Sequence, residues 1–77
     1  MMLEQLRETA GLGGPAANLA NQLLVIRQQY ESHELSVEDY QYLLQQIAQV
    51  QAAQELSNDE QAFRYIVAAA EALSLAL

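Results

Sequence analysis

A six-residue signal occurs twice in this chain, as Glu34-Leu35-Ser36-Val37-Glu38-Asp39 and again as Glu55-Leu56-Ser57-Asn58-Asp59-Glu60. Each copy sets a serine before a run of helix formers, with an acid three positions on. A serine hydroxyl there accepts from a free backbone N–H, and the acid can reach back to the serine's own N–H. Two such starts, at Ser36 and Ser57, divide the second half of the chain into two helices. The fold is therefore expected to be all-α.

Hydrophobic spacing fills in the remaining elements. Leu3, Leu6 and Ala10 give residues 1–10 one apolar side. Gly11-Leu12-Gly13-Gly14-Pro15 then breaks the pattern, with Gly11 suited to a left-handed stop and Pro15 to the first turn of a new helix. Residues 1–14 are read as a short helix or arm with a glycine hinge, and 15–77 as a three-helix antiparallel bundle. The second helix runs from Pro15 or Ala16 to Tyr30 on a stripe of Leu19, Leu23, Ile26 and Tyr30. A short connection at Glu31-Ser32-His33-Glu34 suits an antiparallel neighbour. The third helix carries Val37, Tyr40, Leu44 and Ile47, extending to Gln51, with Leu43 and Val50 beside them and Leu35 as a staple on Tyr40.

The last helix is the most apolar. Phe63, Ile66, Ala70, Leu73 and Leu77 follow a three–four seam, and Ala62, Val67, Ala69, Leu75 and Ala76 broaden it around the circumference. In a 77-residue chain, too few other helices exist to cover such a surface. Below roughly 80 residues a single core seldom contributes more than about 3–5 kcal/mol, so a staple or a partner is usual. Cysteine is absent, which removes disulfides and thiolate metal sites and leaves association. Ile66, Ala70, Leu73 and Leu77 are the expected interaction residues, with Phe63 and Tyr42 at the edge.

The third helix adds a second pointer. Its polar positions are Gln41, Gln45, Gln46, Gln49 and Gln54, with none of the Glu–Lys pairs that a solvated helix commonly carries. Glutamine is a good helix former, so a solvated neutral face is the ordinary expectation, and a contact with another protein through neutral hydrogen bonds is the sharper one. Among the tyrosines, Tyr30 and Tyr40 fall on core stripes, while Tyr42 and Tyr65 lie off them.

Chemistry is conspicuous by its absence. The single histidine, His33, sits in a turn among acids, where the ordinary expectation is solvation and a pH-sensing role is conceivable through Glu31 and Glu34. Glu38-Asp39 and Asp59-Glu60 belong to first helical turns, where the macrodipole favours negative charge, so no metal need be invoked. The glycines lack the strand, spacing and lysine of a phosphate loop. No catalytic, metal or cofactor-binding residue is assigned, and the chain is read as a non-enzyme. Ten acids face three arginines, for a formal charge of −7. Direct nucleic-acid binding and anionic membranes are thereby disfavoured. Tyr65 to Leu77 would span about 20 Å as a helix, short of a bilayer core.

From Leu23 to Ile47 the chain resembles the helical hairpin of the short C-terminal (SHOCT) domain, through Leu24, Tyr30, Leu35-Ser36-Val37-Glu38-Asp39-Tyr40 and Leu43-Leu44. The usual turn glycine is replaced around His33, and the family's lysines are missing. From Leu23 to Leu77 it also looks like small acidic helical proteins of tailed bacteriophages, with a capped Glu-Asp-Tyr helix, a second acid-rich cap and an apolar last helix. The resemblance implies oligomerisation, or an assembly, scaffold or virion-associated role, in the cytoplasm of a bacterial host or on the virion. The expected function is thus a protein–protein interaction module, self-associating or docking a larger assembly. The alternative is an acidic inhibitor that mimics nucleic acid and occupies a basic groove of a host enzyme.

Overall fold

The computed structural model describes residues 2–77, and every regular element among them is helical. In chain order these are α1 (Met2–Ala10), α2 (Pro15–Glu31), α3 (Val37–Gln46), a π-helical segment (Ile47–Gln51), α4 (Ala52–Glu55) and α5 (Glu60–Leu75). The chain is all-α. Helix α1 lies along α2, α2 touches both α3 and α5, and α3 with its π segment packs on α5.

The first capping signal forms as expected: Ser36 is the N-cap of α3, and its Oγ accepts from the Asp39 N–H at 3.1 Å. The second forms two residues late. Leu56 is buried and its N–H still donates to Ala52 O, so the chain makes a turn through Ser57 and Asn58, closed by Asp59 N–H to Leu56 O. Only then does α5 start, and its cap is Asp59, whose Oδ1 accepts from Ala62 N–H at 3.1 Å. The anchored Leu56 displaces the helix start from Ser57.

The π segment was not foreseen, and it explains why the third stripe departs from the sequence expectation. Tyr40, Leu44 and Ile47 are fully buried as anticipated, but the next core residue is Ala52, not Gln51. Ala52 N–H bonds to Ile47 O, five residues back. The wider turn takes up one extra residue, so Ala52 and then Leu56 face inward and Gln51 and Gln54 stay off the core. At the other end Val37 is exposed, not part of the stripe.

The core joins Leu19, Leu23 and Ile26 of α2 to Tyr40, Leu44 and Ile47, and to Ile66, Ala69, Ala70 and Leu73 of α5. Leu6 belongs to it as well and is fully buried, with Leu3 and Ala10 packed beside it. Of the short helix or arm expected for residues 1–14, the helix forms, and that contact ties it to the core. The left-handed backbone falls on Gly13 (φ 81°) and Gly14 (φ 91°), whereas Gly11 continues α1 by donating to Arg7 and Glu8 carbonyls.

Helix α2 ends in a Schellman motif built around a histidine. Glu34 N–H bonds to Gln29 O at 2.8 Å and His33 N–H to Tyr30 O at 3.1 Å, which places His33 where glycine is customary. Its φ is +65°, in the left-handed region. A side chain in this conformation costs about 1–2 kcal/mol relative to a right-handed residue.

Candidate interaction surface

Helix α5 has no basic residue in its last turn to complement its dipole. The charge comes from α2 instead. Arg27 Nη1 donates to the carbonyl of Ala76 and, at 3.0 Å, to Tyr40 Oη. Tyr40 Oη in turn donates to Leu73 O at 2.8 Å. Gln41 Nε2 reaches Ser74 O at 3.1 Å, and Tyr30 Oη reaches Leu77 O at 3.2 Å. Four side chains from α2 and α3 thereby bond carbonyls in the last turn of α5 and just beyond it, Leu73 O accepting from Ala76 N–H as well.

The tyrosines that do this are stacked. The rings of Tyr30 and Tyr40 lie 4.2 Å apart, 16° from parallel, with the Arg27 guanidinium 5.6 and 5.8 Å from their centroids. Tyr40 lends its whole ring to the core while its hydroxyl passes a hydrogen bond from Arg27 to α5. The hydrogen bond to Tyr40 raises the Arg27 pKa above its ordinary value; burial, the next largest influence, opposes it, and the charges of Tyr40, Glu31 and Tyr30 add smaller upward contributions. Arg27 Nε sits 3.5 Å from Glu31 Oε2, within ion-pair range but without a hydrogen bond. This clasp fixes how α5 lies against α3.

Fixing that relation creates a groove. It holds about 190 Å³ between α3 with its π segment and α5, floored by Leu44, Ala48, Val67 and Ala70, and rimmed by Gln45, Gln49, Glu71 and Ser74. Along α3 the outward positions Glu38, Tyr42, Gln45, Gln49 and Ala53 recur at helical spacing, so Tyr42 shares its stripe with the glutamine rim. Tyr42 is 59% exposed. On α5 the outward stripe is Gln61, Arg64, Ala68, Ala72 and Leu75, with Glu71 alongside. Its one ion pair, Arg64 Nη2 to Glu60 Oε1 at 2.6 Å, is open to solvent on both sides and contributes little.

The residues expected to carry an interface are therefore divided. Ile66, Ala70 and Leu73 are at most 1% exposed and belong to the chain's own core, with Ala70 also at the floor of the groove. The cause is that α2, α3 and the π segment together cover the seam of α5. Tyr42 and Leu77 are on the surface, and Phe63 is half-buried beside Ala53, Leu56 and Glu60. Phe63 lies in the first turn of α5, whereas Leu77 lies beyond its end at Leu75, 14 positions on. Tyr65, expected off the core, packs against it with a buried hydroxyl. Sequence reasoning missed Ala68, Ala72 and Leu75 as the outward face of α5. The signal was there: Arg64, Ala68, Ala72 and Leu75 recur at spacings of four, four and three, each two residues from Ile66, Ala70 or Leu73, a face with a single charge.

Among the described residues no group of three or more His, Asp or Glu side chains could hold a metal ion, and no helix is long and apolar enough to cross a membrane. No protein-family model, no curated protein and no solved structure matches this chain.

Proposed function

We propose that this protein is a non-enzymatic interaction module: a three-helix antiparallel bundle, with α1 tied to its side, that associates through the outward α3–α5 face. The carrying observation is the charge-poor character of that face. Gln45 and Gln49 rim the groove on the α3 side with Tyr42 further along their stripe, and Ala68, Ala72 and Leu75 are exposed on the outward stripe of α5, with Leu75 85% exposed. Aromatic and apolar positions with few charges are the composition expected at the centre of a contact. Small residues on α5 let another helix approach closely, and glutamines offer neutral hydrogen bonds to it. The likeness to small acidic helical phage proteins suggests an assembly, scaffold or virion-associated setting, with a second copy of the chain as one natural partner.

Sedimentation across concentration tests this reading. A self-associating species that Ala72→Glu or Tyr42→Ala reduces to monomer, without lowering the melting temperature, supports it. A strict monomer into the high micromolar range, with no partner recovered on Tyr42-bearing bait, counts against it. Variants at Ile66, Ala70 or Leu73 are unsuitable, because they damage the core first.

A second reading keeps one specific observation in its favour. Arg27 and Arg64 are each engaged by an acid of their own helix, while Glu34, Glu38, Asp39, Glu55 and Asp59 stand exposed. An acidic protein of this kind could occupy a basic groove on a nucleic-acid enzyme. Association that collapses with added salt favours that inhibitor; exposed charge contacts screen over roughly 10 Å at 0.1 M. Salt-insensitive association favours the neutral face.

A further inference from the structure

Only three arginines serve this acidic chain, and two of them, Arg7 and Arg27, line one pocket. The pocket lies between α1 and α2, away from the groove on α3 and α5, and holds about 360 Å³. Its wall is apolar at Leu3 and Leu24, and Gln28 and Glu31 complete its polar side. That volume falls in the range of about 300–1,000 Å³ that small-molecule sites occupy. Arg7 is exposed, and its guanidinium makes no hydrogen bond or ion pair among the described residues. Arg27 spends Nη1 on the clasp, while its Nε is buried, without a hydrogen bond, and faces the Glu31 carboxylate at 3.5 Å. An apolar wall beside two guanidinium groups, one free and one incompletely satisfied, describes the complement of a particular ligand class.

We propose that the α1–α2 pocket binds a small oxyanion carried on a short apolar stem, with the oxyanion between Arg7 and Arg27 and the stem against Leu3 and Leu24. Guanidinium forks match carboxylate and phosphate oxygens alike, so either head group satisfies the site. Glu31 is the built-in competitor: it is 57% exposed at its side chain, free to swing out, and an entering anion takes its place at Arg27 Nε. Because Arg27 also holds Ala76 and Tyr40, a ligand at this pocket engages the same residue that secures the end of α5. The proposal stands apart from the association through α3 and α5 and does not depend on it.

Calorimetric titration of the full chain with octanoate, octyl phosphate, inorganic phosphate and octylammonium tests it. Saturable binding of octanoate or octyl phosphate is expected, the tighter of the two identifying the head group, with inorganic phosphate weaker for want of a stem. Arg7→Gln should lower the affinity about tenfold, the worth of one charge-assisted hydrogen bond, while its helical circular dichroism and melting temperature stay unchanged. Glu31→Gln should raise affinity about threefold by removing the competitor. The proposal is overturned by octylammonium binding as well as octanoate, by phosphate binding as tightly as octyl phosphate, by affinity untouched in Arg7→Gln, or by no saturable binding of either amphiphile at millimolar concentration.

Discussion

Helix α5 begins and ends by opposite means. Its first turn is secured by one local side chain, Asp59, bonded to an N–H three residues on. Its last turn is secured by Arg27, Tyr30, Tyr40 and Gln41, which are more than 30 residues away in sequence. A local cap needs only the right residue at the right offset, and it forms in any helix that carries it. A clasp exists only once α2, α3 and α5 are assembled. It therefore makes the end of α5 a cooperative part of the tertiary structure.

Breaking the clasp at its centre should have the largest effect. Tyr40→Ala removes a fully buried ring and its stacking partner for Tyr30, and should cost about 3–5 kcal/mol in chemical denaturation. Tyr40→Phe keeps the ring and removes the hydroxyl, leaving Leu73 O with less than its full bonding and Arg27 with one donor idle. About 1–3 kcal/mol is expected, and amide exchange near residues 73–77 should accelerate more than exchange near 60–65. Equal acceleration at both ends would mean that the two ends of α5 are secured alike.

The local end should respond less. Asp59→Ala removes the cap and should lower stability by about 1 kcal/mol, whereas Ser57→Ala should change it by under about 0.5 kcal/mol. The reverse order would restore Ser57 as the cap and contradict the geometry. His33→Gly should act in the opposite direction, stabilising by about 0.5–1 kcal/mol, since glycine takes a positive φ without steric penalty. That gain would show α2 ending through its own backbone, unlike α5.

The clasp should also be indifferent to pH across the neutral range. Arg27 has a pKa raised above its unfolded value, chiefly by the hydrogen bond to Tyr40. Its contribution is then fully present below that value and falls only as pH rises through the still higher folded value. Melting curves between pH 6 and 9 should show no change in the stability difference between Tyr40→Phe and the parent chain.

Much of the helix plan was legible because it rests on short-range rules. The Ser36 cap, the Pro15 start, the Leu19–Leu23–Ile26 stripe and the burial of Tyr40 each follow from spacing within one or two turns. The interaction residues were harder to read. Ile66, Ala70 and Leu73 obey the same three–four spacing whether they face their own core or a partner, and periodicity alone does not separate the two. Tyr42 stood out because it fell off a stripe, but its companions Ala68, Ala72 and Leu75 are small or terminal and looked like broadening of the seam.

The residue types and their offsets, taken alone, settled that the chain is helical, where most helices start, and which side of α2 turns inward, because backbone bonding and amphipathic spacing act over a few residues. Assembly decided the rest. The extra residue in the π turn swings Ala52 and Leu56 inward, Leu6 draws α1 onto the core, and Arg27 reaches across to the carbonyls of α5. Each of these depends on where another helix lies, and that position is fixed by packing the whole core at once.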